Sequence, residues 1–205
     1  VFSHEEFLNK VQEDYLLVLL EFPRNKTVPN AERNQELSNQ FKVKGFPTVL
    51  LLDPSGRPYA RTGYQEGGPE AYLSHLAGLK ETSETMKQKI EQVEKLGKDE
   101  LPSALNGLFE QIDALGEKKY DFAYHFSLAF PQLGAVVSKA YEIDPENKSG
   151  LKLKAALFLM ETEQVDPATI KALNELDPQN KAGHLEQLLV ADLSTKDPRE
   201  PADAK

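Results

Sequence analysis

The stretch Val43-Lys44-Gly45-Phe46-Pro47-Thr48-Val49-Leu50-Leu51-Leu52-Asp53-Pro54-Ser55-Gly56 decides the fold of the first part of the chain. Residues 48–52 form a short apolar run, and the Asp-Pro-Ser-Gly sequence after it places Pro at the second and Gly at the fourth position of a turn. Residues 57–62 then return as a second strand pattern. The stretch therefore predicts an antiparallel hairpin that is entered through a Gly-Phe-Pro loop.

Ahead of the hairpin, the sequence predicts a short helix followed by a strand. Ser3 and Glu6 have the three-residue spacing of a capping box, so a helix is expected to continue to about residue 13. Residues 15–22, Tyr-Leu-Leu-Val-Leu-Leu-Glu-Phe, then form an almost continuous apolar run. Such a run is typical of a strand buried on both faces, which predicts a central strand of the sheet.

Two further helices are expected on either side of the hairpin. Asn30 is a good N-cap for a helix over residues 31–41, whose inward face is predicted at Leu37 and Phe41. Gly67-Gly68-Pro69 begins the other helix, with Pro at its first position. The apolar side of that helix consists of Tyr72, Leu73, Leu76 and Leu79. The first part of the chain is therefore expected to be an α/β unit.

The second part of the chain shows helix and turn patterns only. Residues 81–85 are small and polar, which indicates a linker or a helix junction. The helices predicted over residues 86–96 and 102–115 are followed by Gly97 and Gly116, and glycine is the residue that helix C-termini prefer. This pattern predicts an all-α second part.

A repeated segment lies within the helical part. Tyr-Glu-Ile-Asp-Pro-Glu-Asn-Lys at residues 141–148 recurs as Asn-Glu-Leu-Asp-Pro-Gln-Asn-Lys at residues 174–181, and the separation of 33 residues is close to the tetratricopeptide period. Helices predicted over residues 151–160 and 167–176 would form the pair that such a repeat needs. Their packing side is predicted at Ala155, Ala156 and Leu159. A generic helical bundle in which Asp-Pro ends two helices explains the same pattern.

The composition argues against several classes of function. A formal net charge of −9 disfavours non-specific binding to nucleic acid or to anionic membranes, since both require a basic surface. No apolar run approaches the roughly 20 residues that a membrane-spanning helix needs. The 205 residues include no cysteine, so they contain neither a disulfide nor a thiol catalyst.

The order of these patterns resembles the second half of a thioredoxin fold. In both, a Gly-Phe-Pro-Thr loop is followed by a strand, a tight turn, a second strand and a closing helix. More narrowly, residues 20–24, 34–41, 45–47 and 61–68 resemble the DsbH-like branch of secreted thiol-disulfide oxidoreductases. The resemblance extends over residues 1–80.

The resemblance implies a substrate-binding site, formed by Gly45, Phe46, Pro47 and Thr48. In that family the Phe46–Pro47 peptide bond would be cis, and the exposed backbone of the loop would pair with a protein or peptide substrate beside the active-site cysteines. The family carries Cys-x-x-Cys at the start of a long helix, where the helix dipole lowers the pKa of the thiol. By resemblance, Val1 and Phe2 would be the last residues of that helix, which places the motif upstream of this sequence.

Two explanations of the absent motif remain open. Either the dithiol lies in a segment ahead of Val1, or the protein has lost it and persists as a binding module. In the thioredoxin arrangement, the strand that leads to the motif would lie between residues 15–22 and residues 48–52. Without it, unpaired edges would lie in the middle of the sheet. That strand is therefore expected from a preceding segment, from a swapped partner in a homo-oligomer, or through a rearranged sheet.

The remaining candidate groups favour structural roles. The histidines show no metal-ligand spacing and are scattered at His4, His75, His125 and His184. Gly67-Gly68 could cradle a phosphate, but a turn between strand and helix explains it better. An aromatic group fits a peptide-binding groove or, in preference, core packing, and consists of Tyr120, Phe122, Tyr124, Phe126 and Phe130. Neither a metal nor a cofactor is therefore expected.

Two functions from different classes follow as predictions. One is a periplasmic or secreted thiol-disulfide oxidoreductase, by resemblance, whose helical part chooses or holds substrates. The other is a redox-silent module that binds proteins through residues 45–48 and the repeat. The predicted organisation is an α/β thioredoxin-like domain, incomplete at its N-terminus, at residues 1–82, an all-α tetratricopeptide-like domain at residues 83–196, and a disordered tail at residues 197–205.

Overall fold

The computed structural model describes residues 2–22, 29–43, 45–115, 129–162 and 164–187, and it divides into two compact units, Val1–Lys87 and Gln88–Lys205. The elements, in chain order, are α1 (Glu5–Val11), α2 (Ala31–Gln40), β1 (Val49–Leu52), β2 (Pro58–Thr62), α3 (Gly68–Glu94), α4 (Leu101–Ala114), α5 (Leu133–Ser138), α6 (Ala140–Ile143), α7 (Leu151–Glu161) and α8 (Pro167–Leu176). The described chain is thus mostly helical with one two-stranded sheet, which is consistent with part of a thioredoxin-like unit followed by helices.

The hairpin forms where the sequence predicts it, between β1 and β2. The strands pair antiparallel, with Val49 opposite Thr62 and Leu51 opposite Ala60. In the turn, the amide of Gly56 donates to the carbonyl of Asp53 at 2.9 Å, and Gly56 has a φ of 80°, which costs glycine little. Hydrogen bonds from Ser55 and Arg57 hold the pKa of the Asp53 carboxyl near 2, although its burial acts in the opposite direction.

The first helix begins later than the capping-box pattern predicts. Its N-cap position is His4 rather than Ser3, and no side chain caps the helix there. His4 has the extended backbone that an N-cap needs, with φ −80° and ψ 125°, so the helix begins at Glu5. The prediction of Ser3 as the cap is therefore wrong, while the helix itself is present and buries Phe7 and Val11.

The central strand predicted over residues 15–22 is absent from the structure. No regular secondary structure is assigned to this segment, and its side chains are exposed: 92% for Leu16, 72% for Val18 and 83% for Leu19. A buried central strand needs a hydrogen-bonded neighbour on each side. The described residues place no strand next to this segment, so its backbone lacks the partners that define a strand.

The second helix buries a different face from the one that its apolar residues predict. Asn34 and Ser38 are its buried residues, whereas Leu37 and Phe41 are only half-buried. The amide of Asn34 donates to the backbone carbonyl of Glu21 at 2.9 Å, and this bond requires Asn34 to face inward. Tertiary hydrogen bonding thus overrides the apolar pattern at α2.

The predicted linker at residues 81–85 is part of a helix. α3 runs without interruption from Gly68 to Glu94, and the boundary between the two units falls within it. Residues 79–94 contain neither Gly nor Pro and are rich in Glu, Lys, Gln and Met, which favour helix. Small polar residues at this point therefore did not mark a junction, and Ser83 is in fact buried.

The second unit is built around α7. This helix packs against its neighbours α4, α5, α6 and α8. As the sequence predicts, Ala155, Ala156 and Leu159 are fully buried. Of the aromatic group in this unit, Phe130 is buried, while its other members lie outside the described residues, as do His125 and the predicted tail.

The first copy of the repeated segment forms a loop organised by two side chains. The carboxylate of Asp144 accepts hydrogen bonds from the hydroxyl of Ser149 at 2.7 Å and the amide of Leu151 at 3.0 Å. The side-chain oxygen of Asn147 accepts from the amide of Leu153 at 3.0 Å. Both acceptors satisfy amides in the first turn of α7, which have no partner within the helix.

The second copy repeats this arrangement. The carboxylate of Asp177 accepts from the amide of Ala182 at 2.7 Å, and the side chain of Asn180 accepts from the amide of Leu185 at 3.1 Å. Asn147 and Asn180 also share a positive φ, of 55° and 48°. The two loops therefore have a common design, and the tetratricopeptide assignment stays a prediction.

Lys152 joins the first loop to the last helix. Its side chain is 5% exposed, and its ammonium donates to the carbonyl of Pro145 at 2.9 Å and to the carboxylate of Glu175 on α8 at 2.5 Å. A buried ammonium needs such partners, because an unpaired buried charge is costly. Loss of Glu175 would therefore leave the cation without its counter-ion.

We expect Asp144→Asn to lower the free energy of unfolding at pH 7. Burial alone would raise the pKa of Asp144, but hydrogen bonds from Ser149 and Leu151 lower it below its usual range. Removing the charge weakens these bonds, with an expected loss of roughly 1–3 kcal/mol, measurable by urea denaturation. The matched control is Asp113→Asn on exposed α4 surface, which should change stability by less than about 0.5 kcal/mol.

The stability difference between wild type and Asp144→Asn should depend on pH. Because the pKa of folded Asp144 lies below that of the unfolded chain, the stabilisation is complete above pH about 4 and is lost as the pH falls through the lowered pKa. The stability gap between wild type and Asp144→Asn should therefore narrow below pH about 4. A gap that stays constant from pH 7 to pH 3 would contradict this account.

Candidate functional site

The four predicted site residues form an exposed loop between α2 and β1. Gly45, Phe46 and Pro47 are exposed and Thr48 is half-buried. The Phe46–Pro47 peptide bond is cis. Phe46 keeps 67% of its surface exposed, which is unusual for so large an apolar side chain in a short loop.

Two local contacts hold this loop. The hydroxyl of Thr48 donates to the carbonyl of Gly45 at 2.6 Å, which closes the loop on itself. On the other side, the ring of Phe46 lies against the ring of Phe22, with centroids 5.0 Å apart and planes tilted by 33°. The loop is therefore supported by the end of the apolar segment that precedes α2.

The loop also lies against the C-terminal end of β2. A Cβ added to Gly63 would lie 3.1 Å from the carbonyl oxygen of Pro47, so the two backbones are nearly in contact. The hydroxyl of Tyr72 donates to the carbonyl of Gly63 at 3.1 Å, and burial raises the pKa of this Tyr72 hydroxyl. Gly63 is therefore packed between α3 and the loop.

The residue before Gly63 is held by the same helix. Thr62 and His75 are joined by a hydrogen bond of 2.8 Å between the Thr62 hydroxyl and Nε2 of His75. Gln65 adds a long contact of 3.4 Å to the same hydroxyl. The sequence predicts a structural or exposed position for His75. The structure places it on α3, where its side chain bonds to Thr62, the last residue of β2.

The backbone polar groups of Phe46 are the candidate contact points of this loop. Its N–H and C=O have no hydrogen-bond partner among the described residues. An exposed residue with both groups unpaired presents the donor and acceptor that an extended peptide uses when it adds to a sheet. The loop therefore presents the kind of polar groups that a peptide backbone would need, with the Phe46 ring beside them.

Metal-binding clusters and membrane-spanning helices are absent among the described residues. These residues hold no group of three or more metal-ligating side chains, and no cysteine exists in the chain. Their helices include none that is both long and apolar enough to cross a membrane. Gly67 and Gly68 have φ values of 99° and 78° and form the turn into α3.

Sequence reasoning found the loop but missed its supports. Phe22 was assigned to a buried strand, Tyr72 to the apolar side of α3, and Gly63 only to the stretch that carries the resemblance. A polar atom on a mostly apolar helix face, as in Tyr72, was the available signal, because a buried hydroxyl needs a partner. Its partner could not be read from sequence.

Part of the chain is similar to a known protein. The chain is similar to the disulfide bond reductase DsbH of Chlamydia pneumoniae, with 42% identity over 62 residues. The match covers 29% of this chain and 37% of the relative, so the chain spans little more than a third of that protein's length. This supports a relationship to thiol-disulfide oxidoreductases. No family model matches the chain, and no solved structure matches it.

We expect Thr48→Val to loosen the loop without unfolding the unit. The substitution removes the bond to the Gly45 carbonyl, whose typical net value is about 0.5–1.5 kcal/mol. The NMR order parameter of the Phe46 amide should fall from about 0.85, typical of rigid backbone, towards about 0.6. Thr82→Val is the matched control, because its hydroxyl makes a similar bond to the Gly78 carbonyl on α3. An unchanged order parameter in Thr48→Val would contradict the role of this bond.

Proposed function

We propose that this chain belongs to a protein of the thiol-disulfide oxidoreductase type and that its loop at residues 45–48 binds extended segments of protein substrates. The observation that carries the proposal is the exposed Phe46, whose backbone N–H and C=O are both unpaired among the described residues. The partial similarity to a disulfide bond reductase supports the redox assignment.

The proposal requires a dithiol, which we place in a segment ahead of Val1. The exposed apolar segment at residues 16–19 supports this, since its backbone and side chains are those of a strand without neighbours. β1 has only one neighbour, β2, among the described residues, so its second edge is also unpaired. A strand leading to the dithiol would pair with both edges.

Contacts at the two ends of the apolar segment fit such an insertion. At one end, the hydroxyls of Tyr15 and Tyr59 lie 2.9 Å apart, and Tyr59 is on β2 opposite the last residues of β1. At the other end, Phe22 contacts Phe46, three residues ahead of β1. These contacts link the start of the segment to the hairpin near the end of β1 and its last residue to the loop that enters β1. We propose that the strand leading to the dithiol inserts between the segment and β1.

An alternative function comes from the absence of cysteine. A redox-inactive protein could use the same loop, together with the helical unit, to bind partners. Both functions need the free backbone at Phe46, and only the first needs a dithiol. By resemblance to the secreted branch of thiol-disulfide oxidoreductases, the proposal also includes a periplasmic or secreted location.

The decisive experiment is an intact mass of the protein purified from its natural source, before and after alkylation under reducing conditions. A chain heavier than 22.9 kDa that gains two labels would support the dithiol. The protein should then reduce an insulin disulfide, and alkylation should abolish that activity. A protein that takes up no label would overturn the oxidoreductase proposal and leave the binding function.

We expect Phe46→Ala to weaken substrate binding about 5- to 30-fold, the effect typical of an exposed aromatic contact at an interface. The probe is fluorescently labelled, reduced and carboxymethylated α-lactalbumin, which stays unfolded, and the readout is fluorescence anisotropy. Ile170→Ala is the control, since Ile170 is a large exposed apolar residue on α8 of the other unit. Equal losses in both variants would show that the probe binds without using the loop.

A further inference from the structure

We propose that Tyr72 and His75 of α3 are positioning residues, which place the loop at residues 45–48 for peptide binding. The inference rests on the proposed function of that loop. Neither residue touches the peptide in this account. They act through two consecutive residues of the hairpin, Thr62 and Gly63, one of which contacts the loop.

Tyr72 is the fixed point of the arrangement. It is 1% exposed, and its ring makes edge contacts with the rings of Phe2, Phe7 and His75, with centroid separations of 5.2, 5.9 and 6.0 Å. Packing on three sides leaves the ring little freedom. Its hydroxyl therefore holds the Gly63 carbonyl at a set distance from α3.

Gly63 transmits this position to the loop. Its α-carbon lies so near the Pro47 carbonyl oxygen that an added methyl group would come within 3.1 Å, closer than most such contacts. A displacement of Gly63 towards the loop would push directly on Pro47. The neighbouring residue, Phe46, carries the backbone groups that have no partner among the described residues.

His75 holds Thr62, the residue before Gly63. Its Nε2 atom lies 2.8 Å from the Thr62 hydroxyl, and Thr62 pairs with Val49, the first residue of β1. Tyr72 and His75 are three positions apart and so lie on the same face of α3. One face of α3 therefore positions two places, the end of β2 behind the loop and Val49, where the loop enters β1.

The test is Tyr72→Phe, which keeps the ring and removes only the hydroxyl. We expect the affinity for unfolded α-lactalbumin to fall about 3- to 10-fold and the NMR shift of the Phe46 amide to change. Selective ¹⁵N-phenylalanine labelling isolates this signal. Tyr141→Phe is the matched control, because its hydroxyl bonds to Thr169 at 3.0 Å in the other unit. The control should lose stability without losing affinity.

A second variant changes the contact between Gly63 and the loop and leaves the sequence of α3 unaltered. Gly63→Ala places a methyl group against the Pro47 carbonyl, and we expect a similar loss of affinity. Because both substitutions act through Gly63, the double variant should lose less than the product of the two single losses. Independent, multiplicative losses would overturn the inference.

The outcomes separate this inference from the proposed function. If Phe46→Ala loses affinity while Tyr72→Phe binds as wild type with an unchanged Phe46 amide shift, the positioning role is wrong and the binding site stands. If folded wild-type protein does not bind the probe, the proposed function fails, and the positioning role fails with it. Weaker binding by Tyr72→Phe, with Tyr141→Phe unaffected, supports both.

Discussion

The hydroxyl of Tyr72 on α3 donates a hydrogen bond to the backbone carbonyl of Gly63, and its ring packs against the ring of Phe7 on α1. This residue therefore joins an aromatic core to a strand end. The contact with Phe7 fixes α1, and the bond to Gly63 fixes the hairpin. Polar and apolar parts of one side chain thus organise the first unit, as buried tyrosines commonly do.

The exposed loop depends on that organisation. Gly63 can lie against the Pro47 carbonyl only because it has no side chain, so the strand end and the loop approach as bare backbone. The approach supports an exposed Phe46 whose backbone groups are unpaired among the described residues. If the loop binds a peptide as proposed, this support would lower the ordering cost of binding.

Hydrogen-bonding demand also explains the least expected part of the structure. Residues 16–19 have the composition of a buried strand, yet they are exposed because the described residues offer their backbone no neighbour. Burying leucine and valine side chains is worth roughly 1.5–3 kcal/mol each, so exposure of several is costly. The same segment makes the oxidoreductase proposal specific, since it defines where an additional strand would pair.

In the second unit, backbone amides find acceptors in side chains that are close in sequence. Each copy of the Asp-Pro-x-Asn segment caps backbone amides of the residues that follow it, through Asp144 with Asn147 and through Asp177 with Asn180. In the first copy these amides belong to the first turn of α7, where they have no intrahelical partner. A short sequence pattern can therefore specify both loops without help from distant residues.

The features that the sequence by itself determined are those that depend on interactions between residues close in the chain. The hairpin, its Asp-Pro-Ser-Gly turn and the start of α8 depend on neighbouring residues, and each is readable from sequence. The assignment of residues 45–48 as a binding loop comes from a resemblance carried by consecutive residues, and it stays a prediction. The absence of cysteine was equally plain.

Only the tertiary structure decided what depends on partners far apart in the chain. Asn34 turns inward because the Glu21 carbonyl needs a donor, and Gly63 supports the loop because Tyr72 holds it from α3. Residues 15–22 fail to form a strand because strand formation requires a neighbour, which no local pattern can guarantee. Local sequence pattern thus predicts which helices and strands are favoured. Long-range hydrogen bonding decides which of them form and which faces they bury.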